Sequence, residues 1–206
     1  MNLEKIIEKI RTRLDKIDTL REKVLKLSRE TVRLCGESIR AVHTRNYERA
    51  SNKKDLAMEK LEGLKILAEN APGFLSSYLV IAFQEYVEAS ILLNLIEKDA
   101  FLSPEELQVP YVPYLLGLGD VIGELRRFAL DVLQVNEIEE MQRMLSLMEK
   151  IYSELLLLDY PKAIVPGLRR KVDVGRSLVE KTRGNVATAV QQQKLLVELS
   201  KLKKLK

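Results

Sequence analysis

Residues 71–96 read APGFLSSYLVIAFQEYVEASILLNLI, and the only charged side chains in that stretch are Glu85 and Glu88. Its length and composition make it a helix of a buried core. Taking a carboxylate out of water costs several kcal/mol unless a cation or hydrogen-bond donors compensate, so two on such a helix require a reason. At about 100° per residue they lie roughly 60° apart, close enough to share one ligand. The plain alternative, a glutamate pair on a wet face, fits poorly. Ile81, Ala82, Phe83, Val87, Ala89, Leu92 and Leu93 wrap most of the helix circumference with apolar groups.

A second stretch repeats the pattern. Residues 109–123, VPYVPYLLGLGDVIG, carry one acid, Asp120, and Glu124 follows one turn later. Four carboxylates on two apolar helices point to a site for a hard cation with oxygen ligands. Gly119 and Gly123 flank Asp120. Helical glycines weaken a helix by about 1 kcal/mol each relative to alanine, a cost that usually marks a close approach.

The surrounding chain reads as helices throughout. It has 206 residues, 46% of them hydrophobic, with no tryptophan and no alternating pattern of β-branched residues. Six prolines punctuate long periodic segments, so the expected fold is all-α, a single domain over residues 1–206 built as an antiparallel bundle of six to seven helices with long first and last members. The first helix is expected over about 2–43, capped by Asn2, with Leu3, Ile7, Ile10, Leu14, Ile17 and Val24 as a partner-facing seam that turns small and polar at Ser28, Thr31, Cys35 and Ser38. A second follows over about 47–69 with Leu56, Leu61, Leu64 and Leu67 as core. The third bears the glutamate pair and ends near Lys98. Ser103 to Glu106 reads as a capped short turn. Further helices are expected over about 113–133, 137–158 (its LLLLD end buried) and 168–199, before a frayed KLKKLK tail.

Charge is unevenly spread. Residues 1–54 carry 15 Lys and Arg against 8 Asp and Glu, residues 55–160 carry 7 against 19, and residues 161–206 carry 12 against 3. Basic ends around an acidic middle suit a protein that holds metal in the middle and a polyanion at its ends; an unevenly charged soluble bundle has the same pattern. Lys26, Arg29, Arg33 and Arg40 share one helix face with Gly36, and Arg169, Arg170, Lys171, Arg176, Lys181 and Arg183 open the last helix, where positive charge opposes the helix dipole. His43 is the only histidine, which excludes a His/His acid–base pair and the Glu-x-x-His motifs of di-iron bundles, leaving metal-assisted chemistry. Cys35 is the only cysteine, so no intrachain disulfide or cysteine zinc site forms. With a charged opening, MNLEKIIEKI, in place of a signal peptide, and two glutamates opposing membrane insertion of residues 71–96, the expected setting is cytoplasmic, with no membrane.

The stretches FQEYVEA (83–89), PYLLGLGDVIGEL (113–125) and GLRRKVD (167–173) resemble the translin/TRAX superfamily, in particular TRAX-type chains of archaea. The resemblance covers most of the chain. It implies a helical subunit of a hollow, roughly octameric shell, here a homo-oligomer, that encloses RNA, single-stranded or short duplex, with single-stranded DNA as a further ligand. It implies a Mg²⁺-dependent (or Mn²⁺-dependent) endoribonuclease, with Glu85, Glu88 and Asp120 catalytic and, together with Glu124, holding metal. Translin-type chains keep a glutamate at the position of Glu124 without being the catalytic partner. Lys26, Arg29, Arg33, Arg40, Arg169, Arg170 and Lys171 match a loosely aligned RNA-binding lining. Two other readings stand beside it: a non-catalytic, translin-like nucleic-acid-binding shell, and a helical scaffold that binds no nucleic acid.

Overall fold

The computed structural model describes residues 2–68, 73 and 76–203. The expected helix end at Glu69, the break at Asn70 to Pro72 and the last three residues of the tail lie outside them. The described residues contain no strand and form seven helices: α1 (Leu3–His43), α2 (Tyr47–Ala68), α3 (Ser76–Lys98), α4 (Pro104–Leu107), α5 (Tyr111–Gln134), α6 (Ile138–Leu156) and α7 (Leu168–Lys203). The all-α expectation holds. The chain forms two compact units, residues 1–117 and 118–206, and the boundary falls within α5.

In the first unit, Asn2 caps α1 by accepting the Glu4 N–H at 3.3 Å. Leu3, Ile7, Ile10 and Leu14 are about half exposed or more, and burial begins at Val24. The small polar run beyond it meets both α2 and α3. Ser38 donates to the Ala50 carbonyl at 2.8 Å, Ser28 to the Tyr78 carbonyl at 3.0 Å, and Thr31 back to the Leu27 carbonyl, so every hydroxyl of that run is satisfied. On α2, Ala57, Leu61 and Leu64 form the buried stripe. Leu56 was expected in the core and is 41% exposed, because it lies about 100° around the helix from Ala57.

Helix α3 is buried on most sides, with Ala82, Val87, Ala89, Ile91, Leu92 and Leu95 fully enclosed, though Ile81 stands half exposed and opens the apolar wrap. By length and composition Ser77–Lys98 is long and apolar enough to cross a membrane, and more than half of that window is buried inside the fold, as in a core helix. The link to α5 is pinned at three places. Asn94 donates to the Ala100 carbonyl at 2.6 Å, Ser103 and Glu106 close a reciprocal capping box on α4, and the Tyr114 hydroxyl donates to the Leu102 carbonyl at 2.8 Å.

In the second unit, α6 presents Met141, Met144, Met148, Ile151 and Leu155 at helical spacing, and α7 presents Val179, Thr182, Val186 and Ala189. The LLLLD end of α6 departs from expectation: Leu155 is buried, but Leu156 and Leu157 are 55% and 76% exposed, since four consecutive leucines cannot share one helix face. Arg126 of α5 donates to the buried Thr182 hydroxyl at 2.7 Å.

Glycines mark the tightest approaches. A Cβ at Gly117 would lie 2.6 Å from the Gln84 carbonyl oxygen and 2.8 Å from the Val87 side chain, so α5 starts against the backbone of the acid-bearing helix. Gly184 on α7 has nothing within 4 Å of such an atom. Gly117→Ala should therefore lower stability by about 1–3 kcal/mol, since overpacking outweighs the gain of ~1 kcal/mol in helix propensity. Gly184→Ala should raise it by about 0.5–1 kcal/mol. Paired thermal melts check both signs.

Candidate functional site

Glu85 and Glu88 occupy the middle of α3, and their depth differs: Glu88 is 9% exposed and Glu85 is half-buried. Fully buried Cys35 of α1 lies within their field. Burial, and after it the charges of Glu85 and then Glu88, push the Cys35 thiol far above its ordinary range. The thiol is thereby kept neutral, and a neutral thiol is a poor metal ligand. The donor set offered here is carboxylate oxygen, which fits a hard divalent cation.

Among the described residues, no group of three or more His, Cys, Asp and Glu side chains is arranged to hold a metal ion. Two carboxylates still match the way Mg²⁺ is usually bound, through one or two acids with water and substrate phosphate completing the shell.

Asp120 sits on α5 in the second unit and is three-quarters buried. The Lys171 ammonium of α7 donates to Asp120 Oδ1 in an ion pair. The stem of that lysine runs over Gly119, where an added Cβ would meet Lys171 Cβ at 2.9 Å and Cγ at 3.3 Å. Lys171 was expected to face RNA; here its ammonium is directed at an acid. Glu124, one turn beyond Asp120, is as deeply buried as Asp120, with Arg127 3.8 Å away.

The remaining basic positions are exposed: Lys26, Arg29, Arg33 and Arg40 on α1, and Arg169 and Arg170 at the start of α7. Arg33 pairs with Glu37, which Lys53 also reaches at 2.7 Å, and the hydrogen bond from Lys53 is the main reason the Glu37 carboxyl is held below its usual range. Arg33 is thus partly neutralised, whereas Gly36 leaves a bare strip along which the Arg40 guanidinium lies, 3.5 Å from where a Cβ would be. His43, the last residue of α1, is half-buried. Sequence reasoning did not find the Asp120–Lys171 pair or the exposure of Cys35 to both glutamates. Spacings of 50 residues or more leave no periodic signal.

The sequence profile of the Translin family matches residues 71–186, a span that contains Glu85, Glu88, Asp120, Glu124 and Lys171. The chain belongs to the translin family. It is 38% identical over 145 residues to the uncharacterized protein MJ0175 of Methanocaldococcus jannaschii, a match covering 70% of this chain and 64% of that protein. Among solved structures, a complex of AfC3PO with duplex RNA superposes with a TM-score of 0.83 at 34% identity, over 90% of this chain and 97% of the other. AfC3PO alone gives the same TM-score at 35% identity over the same shares. Apo-NeC3PO shares the fold, with a TM-score of 0.81 at 24% identity over 89% of this chain and 96% of the other.

The burial of Cys35 in this translin-family chain sets an alkaline limit on stability. A thiol whose pKa is raised on folding contributes its full share of stability below its ordinary value of 9.0 and loses it as pH rises above that value. Denaturant titrations from pH 8 to 10.5 should show wild-type stability falling faster than that of Cys35→Ala, the difference steepening to about 1.4 kcal/mol per pH unit. Parallel curves would place the thiol in contact with water.

Proposed function

We propose that this chain is an RNA-binding, Mg²⁺-dependent (or Mn²⁺-dependent) endoribonuclease of the TRAX type, working as a cytoplasmic homo-oligomer, an octamer by family resemblance. The observation that carries the reading is the Glu85/Glu88 pair, two carboxylates one turn apart on a core helix with Glu88 almost out of solvent. Membership of the translin family and likeness to a protein solved with duplex RNA support RNA as the polyanion. The half-exposed Leu3, Ile7, Ile10 and Leu14 supply an apolar seam for assembly.

Glu85 and Glu88 are assigned as metal ligands and catalytic acids; family resemblance alone adds Asp120 as a third catalytic acid and metal-binding carboxylate and Glu124 as a further one. The cation, when bound, supplies Lewis acidity toward a phosphodiester and lowers the pKa of water. The apolar side chains around α3 exclude bulk water and so strengthen every charge interaction at the pair. The exposed Lys26, Arg29, Arg40, Arg169 and Arg170 hold the RNA backbone, sequence-independently and with steep salt dependence.

A second reading, a non-catalytic translin-like shell binding single-stranded RNA or DNA, draws on one observation: Lys171 already compensates Asp120. Chelation separates the two. With Mg²⁺ the full chain should cut RNA to products with 3′-hydroxyl and 5′-phosphate ends, and EDTA should stop cleavage. Glu85→Gln, Glu88→Gln and Asp120→Asn should each lower the rate by at least about 100-fold, more than loss of an outer-shell partner costs, with RNA binding retained. Products ending in 2′,3′-cyclic phosphate, or full activity in these variants, would contradict the assignment. Tight RNA binding without any cleavage favours the second reading.

A further inference from the structure

Lys171 stands in the GLRRKVD stretch beside two exposed arginines, yet it behaves differently from both. Its side chain is 28% exposed, its stem crosses α5 where Gly119 has no side chain, and its ammonium ends on Asp120 Oδ1. A Cβ at Gly119 would lie 2.9 Å from Lys171 Cβ, inside the limit that real contacts respect, so the glycine is a fitted seat for this lysine. The carboxylate that Lys171 reaches lies on α5, so the pair ties α5 to α7.

The geometry points to Lys171 as a positioning residue that acts through Asp120, with Gly119 as its seat, and not as an RNA contact like Arg169 and Arg170. The flexible lysine stem, normally free to sample many rotamers, is confined by the α5 backbone, so the ammonium holds one orientation of the carboxylate. A carboxylate fixed this way meets its cation or substrate without first reorganising. For cleavage this step rests on the nuclease reading above; the placement of Lys171 on Asp120 and away from RNA does not.

The full chain with Lys171→Met, which keeps the stem and removes the charge, tests the role through three readouts. RNA affinity should stay within about twofold, and its salt slope should be unchanged, whereas losing a phosphate contact would reduce the slope by about 1. In thermal melts of Lys171→Met, Asp120→Asn and the double variant, the double should fall no further than the larger single shift, as expected for two members of one pair. RNA turnover should drop about tenfold or more with KM unchanged, Lys171→Arg should retain more of it than Lys171→Met, and Gly119→Ala should mimic Lys171→Met by displacing the stem. Additive melting shifts, or a weakened RNA affinity with a shallower salt slope, would overturn the inference. A wild-type chain that binds RNA and never cuts it would overturn the nuclease reading, and the melts and salt slopes would still decide where Lys171 acts.

Discussion

The cost of keeping two carboxylates on the most deeply buried helix constrains the rest of the first unit. Helix α3 is apolar because it packs against both α1 and α2, and an ionised side chain there forfeits hydration that nothing apolar replaces. Glu88 nonetheless lies at 9% exposure in that helix. The neighbourhood is tuned accordingly. Small residues on α1 let the helices close with each hydroxyl bonded, and Cys35 remains protonated, so no further negative charge gathers beside the glutamates. Replacing a buried acid with leucine is often stabilising, which is the physical ground for the metal role proposed for the pair.

The second unit handles its acid differently. Asp120 receives the Lys171 ammonium, on a stem seated against a glycine. Close helix contact is the common device: Gly117 admits the α3 backbone, Gly119 admits Lys171, and Gly175 admits the Ile122 side chain, which would lie 2.9 Å from a Cβ there. Each glycine weakens its helix locally and is repaid by an approach that any side chain would prevent.

Helix existence and type were legible throughout because long periodic runs, proline punctuation and caps such as Ser103 carry the information locally. The α5 and α6 ends at Tyr111, Gln134, Ile138 and Leu156 fall within two residues of the expected positions. Burial was less legible: Leu56, Leu156 and Leu157 are apolar but face outward, since which side of a helix is covered depends on neighbours remote in sequence. The candidate acids could be singled out by their scarcity in apolar stretches. Their partners could not, because Cys35 and Lys171 reach them through the fold, and a lysine next to two solvent-facing arginines reads as a third member of the same row.

The central claim, that Glu85 and Glu88 are retained to bind a divalent cation, can be measured without any nucleic acid. Calorimetric titration of Mg²⁺ and Mn²⁺ into the full chain should give a saturable isotherm for the wild type, and that isotherm should vanish in Glu85→Gln/Glu88→Gln while the variant still melts cooperatively. An identical isotherm in the folded variant, or none in the wild type, would contradict the account.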